Sequence, residues 1–191
     1  MKIDKKYFEE NGYLVLPNIV SKITLSKLNK NADQMISDFK KGINRRQSSN
    51  NNRKKHGDIS KNGKIFFGNQ CEYYPDINAY AKGKFVKKIV SKLLGNKIYL
   101  FNEQLVNKNP NTPSSFSWHQ DSGYIHFKHK PYVSIWLALT ETNEKNGALS
   151  IIPTNLKKTK NAKLHIWQNK SKDLGIKVNE KKAIQLCVSA G

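Results

Sequence analysis

Residues 115–127 read SFSWHQDSGYIHF, and the fold of the chain turns on how His119, Gln120 and Asp121 sit within that stretch. Side chains two apart on a strand point to the same side, so a strand here puts the His119 imidazole and the Asp121 carboxylate on one face. From that face both reach a single metal ion, the beginning of the 2-His-1-carboxylate set that holds non-haem iron. An HxD triplet also arises by chance and describes a solvated turn equally well. Its weight depends on what surrounds it.

Downstream the apolar residues come in short β-rich runs: PYVSIWLALT (131–140), ALSIIP (148–153), AKLHIWQ (162–168) and KAIQLCVS (182–189), separated by Asn, Gly, Lys and Pro. KIYLFNEQLVNKN (97–109) has the same character, and Asn146-Gly147 reads as a hairpin-type turn. Upstream the period is helical. Residues 4–11 form a short helix stopped by Gly12, and YLVLP (13–17) reads as a strand ended by Pro17. Ser21 caps a helix to about Lys41, with Leu25, Leu28, Ala32, Met35, Ile36 and Phe39 on one face. IFFGNQ (65–70) reads as a short strand, and FVKKIVSKLLG (85–95) as an amphipathic helix that stops at Gly95. Between them, KGINRRQSSNNNRKKHGDISKNGK (41–64) has two aliphatic residues, too few to offset the entropy of ordering it, and reads as a mobile loop. Helices first and strands afterwards make an α+β chain whose second half is an antiparallel sandwich or barrel.

At 191 residues the chain is long enough for one domain with a hydrophobic core. We read it as a single domain, with a helical flank over 1–97 and the sheet core over 98–191. No stretch approaches the roughly 18 apolar residues of a membrane span, and the first residues lack a signal-peptide core; a cytoplasmic protein is expected. Cys71 and Cys187 stand far apart with no CxxC pair, which suggests neither a disulfide framework nor a thiolate zinc site and reads as two buried small hydrophobes. The net charge of +20 is made of 31 Lys and only 3 Arg, beside 22 Asn. Arg is the residue suited to phosphate forks and base edges, so this excess reads as the product of A/T-rich codons. A basic module that binds nucleic acid or another polyanion is the alternative that the charge keeps open.

Taken in order, GYLVLPNIVS (12–21), QLVNKNP (104–110), WHQD (118–121) and SIWLALTETNEKNGALSIIP (134–153) resemble the phytanoyl-CoA dioxygenase family of Fe(II)- and 2-oxoglutarate-dependent oxygenases. The resemblance implies a double-stranded β-helix, a cupin-like jelly-roll barrel with N-terminal flanking helices. It implies that His119 and Asp121 hold Fe(II), that 2-oxoglutarate and O2 are consumed, and that a small organic molecule is hydroxylated as 2-oxoglutarate is decarboxylated to succinate. Asn107, Tyr124 and Trp136 match positions that contact 2-oxoglutarate in relatives or follow the metal strand there. Each has a plainer reading: Asn107 as a turn residue, Trp136 as core, Tyr124 as packing. Asp121 keeps the carboxylate that related halogenases replace with a small residue, which implies a hydroxylase.

Two departures stand out. Where relatives often carry Pro-Gly-Ser-His, this chain has Pro153, Thr154, Asn155 and Leu156, which puts the local turn in doubt. The family's distal His and its 2-oxoglutarate-pairing Arg also have no match before Gly191, so the resemblance leads to the expectation of a partial jelly-roll lacking its last strands. That is the front portion of a longer enzyme; a degenerate descendant, or a site completed by His126 or His129, are the alternatives. His126, His129, His56 and His165 otherwise read as polar rim residues.

Overall fold

The computed structural model describes residues 2–43, 64–108, 111, 115–125, 127, 129, 132–159, 161–171 and 173–191. Most of the loop expected over 41–64, as well as His56 and His126, lies outside them. Among the described residues the α-helices precede residue 95, and the strands form three two-stranded antiparallel sheets. No closed barrel is formed among the described residues. The chain divides into two compact units, Val20–Ser91 with Lys97–Ser114, and Met1–Ile19 with Lys92–Asn96 and Ser115–Gly191.

In the first unit, helix α2 (Lys22–Lys40) starts where Ser21 Oγ accepts the Thr24 amide at 3.2 Å, the cap expected for a serine at that position. Its inward face is Leu28, Ala32, Met35 and Asp38, spaced as one side of a helix. Met35, 2% exposed, joins Phe67 and Tyr74 as the core, with Phe39 edge-on to Phe67 at 6.0 Å between ring centres. Asp38 was no part of the apolar pattern, yet it is buried. Gln34 Nε2 donates to its carboxylate at 2.7 Å and the Tyr74 hydroxyl at 3.4 Å, which is how a buried charge is kept. Strand β1 (Lys64–Gly68) pairs with β2 (Gln104–Lys108), setting Ile65 opposite Asn107 and Phe67 opposite Leu105.

Helix α3 (Pro75–Ala81), beyond the expected elements, starts with proline at its first position, where the missing N–H costs nothing. It is followed by α4 (Lys84–Leu94), beyond which Gly95 takes a φ of +92°, a left-handed stop open to glycine at no steric cost. The Cys71 amide donates to Glu103 Oε1 at 2.9 Å, and burial, then the Glu103 charge, push the thiol up to about 11. Cys187, by contrast, is exposed, so the expectation of two buried cysteines holds for neither in full.

The second unit opens with α1 (Lys5–Asn11), capped by Asp4 and closed by Gly12 at φ +77°. The strand expected at 13–17 is absent: Tyr13 instead packs edge-on against Tyr7 at 5.7 Å and accepts its hydroxyl proton at 2.9 Å. Strand β3 (Leu149–Ile151) pairs with β6 (Ile184–Leu186), and β4 (Ile166–Gln168) with β5 (Asp173–Gly175). The run 131–140 forms no regular strand among its described residues; single bonds from Thr142 N to Val188 O and from Gly191 N to Ala138 O take the place of a ladder. The turn at 144–147 is real, with Gly147 at φ +89°, but it leads into β3 without hairpin pairing to the segment before it. No described helix is long and apolar enough to cross a membrane.

Met35→Ala should cost about 2–5 kcal/mol, the transfer term plus the cavity left behind. Urea denaturation checks this, and a loss below about 1 kcal/mol would show that the Met35–Phe67–Tyr74 cluster is not the core of its unit.

Candidate metal centre

His119 and Asp121 do not lie on a paired strand. Residues 115–120 carry no ladder, and Asp121 begins a single 3-10 turn, Asp121–Tyr124. The geometric argument survives because Gln120 between them is extended, at φ −118° and ψ 125°, which leaves both neighbours on one side. His119 Nε2 lies 3.5 Å from Asp121 Oδ1.

Each of the two side chains is held from behind. His119 Nδ1 is 2.7 Å from the carbonyl of Ser117; a carbonyl only accepts, so Nδ1 carries the proton and, in the neutral ring, Nε2 presents its lone pair. Asp121 Oδ2 accepts the Ser134 hydroxyl, leaving Oδ1 turned towards the imidazole. Such hydrogen bonds orient metal ligands and fix the tautomer in which they bind.

The segment itself is anchored to residues 163–176. The Trp118 carbonyl accepts the Ile176 amide at 2.7 Å, the Ser117 amide donates to Asp173 Oδ2 at 3.3 Å, and the Ser117 and Ser171 hydroxyls bond to each other. Gln120 is gripped twice: its amide donates to His165 Nε2 at 3.2 Å and its side-chain oxygen accepts the Lys163 amide at 2.8 Å. Gly175 must be glycine because a Cβ there would meet the Ser117 side chain and come within 2.9 Å of the Trp118 carbonyl.

Tyr124 stands beside the pair. Its ring is 5.7 Å from that of His119 and 4.4 Å, edge-on, from that of His165, and its hydroxyl donates to the Leu174 carbonyl at 3.1 Å. Burial, followed by the charges of Asp173 and Asp121, pushes its phenol up to about 12, and burial with the Asp121 charge does the same for Tyr132. Trp136 keeps 48% of its surface exposed, so it is not the core residue of the plainer reading. Asn107 lies on β2 in the other unit, opposite Ile65, so it does not cap a turn.

The site residues that the sequence reading missed are Ser134 and His165. Ser134 gives no signal of its own within SIWLAL. His165, expected on a polar rim, is 6% exposed, while its neighbours Leu164 and Ile166 are 73% and 51% exposed. That inverted polarity is legible only once the burial is known. Among the described residues no three His, Cys, Asp or Glu side chains converge as a metal site. His129 stays out of any such group and bonds to the Phe127 carbonyl through Nδ1 at 2.9 Å.

The family model described as Phytanoyl-CoA dioxygenase (PhyH) matches residues 8–191. The chain belongs to the phytanoyl-CoA dioxygenase family. The cofactors implied by that membership are Fe(II), 2-oxoglutarate and O2. Two curated relatives are similar over part of their length. One is a probable alpha-ketoglutarate-dependent hypophosphite dioxygenase of Stutzerimonas stutzeri, 27% identical over 42% of this chain and 28% of the relative. The other is a 2-aminoethylphosphonate dioxygenase of an uncultured bacterium, 29% identical over 42% of this chain and 31% of the relative. The chain thus aligns with under a third of the length of either. No solved structure matches it.

A phenol raised on folding stabilises the fold fully below its unfolded pKa and loses that contribution as pH climbs through the folded value. For Tyr124 and Tyr132 the window runs from the ordinary 10.0 to about 12. Denaturation free energy should therefore fall across that window, and Tyr124→Phe should make the fall shallower; urea titrations at stepped alkaline pH read both slopes.

Proposed function

We propose that the chain carries the iron-binding part of an Fe(II)- and 2-oxoglutarate-dependent dioxygenase that hydroxylates a small organic molecule. The observation that carries this reading is the pair itself: an imidazole whose Nε2 lone pair is exposed by the Ser117 bond, and a carboxylate oxygen 3.5 Å away with its partner oxygen held by Ser134. Two donors at that separation fit a shared first-row ion, given metal–ligand bonds of roughly 2.0–2.2 Å. The donor set, one nitrogen and one hard oxygen without thiolate, suits non-haem iron.

Iron with 2-oxoglutarate and O2 supplies the oxidising chemistry that hydroxylates a C–H bond and yields succinate. What this chain's own residues contribute is placement. His119 and Asp121 would hold the metal, Ser117 and Ser134 set their orientation, and the third facial position falls to a donor outside the described set. Asn107, Tyr124 and Trp136 are proposed as 2-oxoglutarate contacts, supported by their match to the family's positions. The jelly-roll is proposed for the whole of 1–191 as one oxygenase-like domain, supported by one family model over 8–191 and by antiparallel pairing in all three sheets. A cytoplasmic location is proposed with it.

The names of the two relatives refer to hypophosphite and 2-aminoethylphosphonate, two small phosphorus compounds, and this chain is strongly basic at +20. Small anions are therefore the first substrates to assay. The same charge favours a second reading, a polyanion-binding module, whose affinity would fall steeply with salt.

Anaerobic titration with Fe(II) and 2-oxoglutarate, read by the visible charge-transfer band of the chelate, tests the iron reading. His119→Ala or Asp121→Ala should abolish the band and weaken Fe(II) binding at least ~10-fold. Unchanged iron affinity in both variants, or folded wild-type protein that takes up no iron, overturns it.

A further inference from the structure

Among the described histidines, His165, in the run just before β4, is the one that the structure buries. In AKLHIWQ, Leu164 and Ile166 face outward at 73% and 51% exposure while the imidazole between them is 6% exposed. Exposing two large aliphatics to bury a polar ring costs hydrophobic free energy, so the ring is held inside by specific contacts. Three are present. Its Nε2 accepts the Gln120 amide at 3.2 Å, which places its proton on Nδ1. Its ring stands edge-on to Tyr124 at 4.4 Å and to His119 at 6.5 Å between centres. It also lies so close to Gly123 that a Cβ on that residue would collide with the imidazole and approach the Lys163 carbonyl to 2.8 Å.

Gln120 is the residue between the two metal-facing side chains, and its extended φ and ψ are what turn both to one side. We propose that His165 is the positioning residue of the His119–Asp121 pair: by accepting the Gln120 amide and backing Gly123 and Tyr124, it holds the extended kink that makes the two donors converge. His165 is not itself a ligand through Nε2, since that lone pair is engaged by the amide. The inference rests on the iron reading for its consequence, and on the Gln120 hydrogen bond and the packing of Gly123 and Tyr124 for its mechanism.

Two substitutions separate the role from mere packing. A Gln side chain can carry its oxygen to where Nε2 lies, whereas Asn is too short to do so, although both are polar and of moderate size. In the metal-free chain, hydrogen exchange at the Gln120 amide should quicken at least ~10-fold in His165→Asn and return to near the wild-type rate in His165→Gln. Co(II) titration should show affinity reduced by roughly 10–100-fold in His165→Asn and recovered in His165→Gln. Equal Gln120 exchange in the two variants overturns the inference, as does altered exchange with unaltered Co(II) affinity. Wild-type protein that takes up no Co(II) overturns the iron reading instead, and His165 as holder of the kink then stands or falls on the exchange comparison.

Discussion

A backbone carbonyl can only accept a hydrogen bond, so the Ser117 carbonyl against His119 Nδ1 leaves that neutral imidazole one tautomer and one free lone pair. The rest of the site is arranged around keeping that carbonyl in place. Ser117 is tied through its amide to Asp173 and through its hydroxyl to Ser171, and the absence of a side chain at Gly175 lets the backbone of β5 come close enough for this. A residue 56 positions from Ser117 in sequence thereby helps fix which nitrogen of His119 carries the proton. The β4–β5 hairpin acts as the clamp, and the HxD segment is what it holds.

The turn that departs from the family's usual Pro-Gly-Ser-His has a structural role of its own. Thr154 and Leu156 donate their amides to the carbonyls of Asn11 and Glu9 at 2.8 Å each, and Asn155 closes the turn by accepting the Lys157 amide at 3.0 Å. Lys157 reaches Glu9 at 3.3 Å, and Gly12, at φ +77°, gives the Thr154 carbonyl room that a Cβ 2.7 Å away would deny. Asn in place of a smaller residue is thus compatible with an ordered turn, because its side chain supplies the acceptor that a tight turn needs. The exposed ion pair adds little by itself; the two backbone bonds to the end of α1 do more to fix the register.

Much of the helical half was legible because helices are local. Asp4 and Gly12 bracket α1, Ser21 starts α2, and Gly95 stops α4, each through contacts within one turn that the sequence order already contains. The strands were legible only as tendencies. KAIQLCVS and ALSIIP contain β6 and β3, but PYVSIWLALT, with the strongest β composition, forms no regular strand among its described residues, because pairing depends on a partner that composition does not name. The burial of Asp38 is illegible for a related reason: Gln34 is one helical turn away, but Tyr74, 36 residues on, comes near only in the folded chain.

The sequence by itself determined the family, through the order and spacing of its motifs, and with it the candidate pair His119 and Asp121, since a two-residue spacing on extended backbone is a local property. Tertiary structure alone decided how those donors are aimed. Ser117, Ser134 and His165 reach the pair or the Gln120 between them through bonds spanning 2, 13 and 45 residues of the chain. The inverted burial of His165 shows why no pattern could announce this: hydrophobic alternation predicts which face is dry, whereas a backbone amide in need of an acceptor can draw a polar ring into that face.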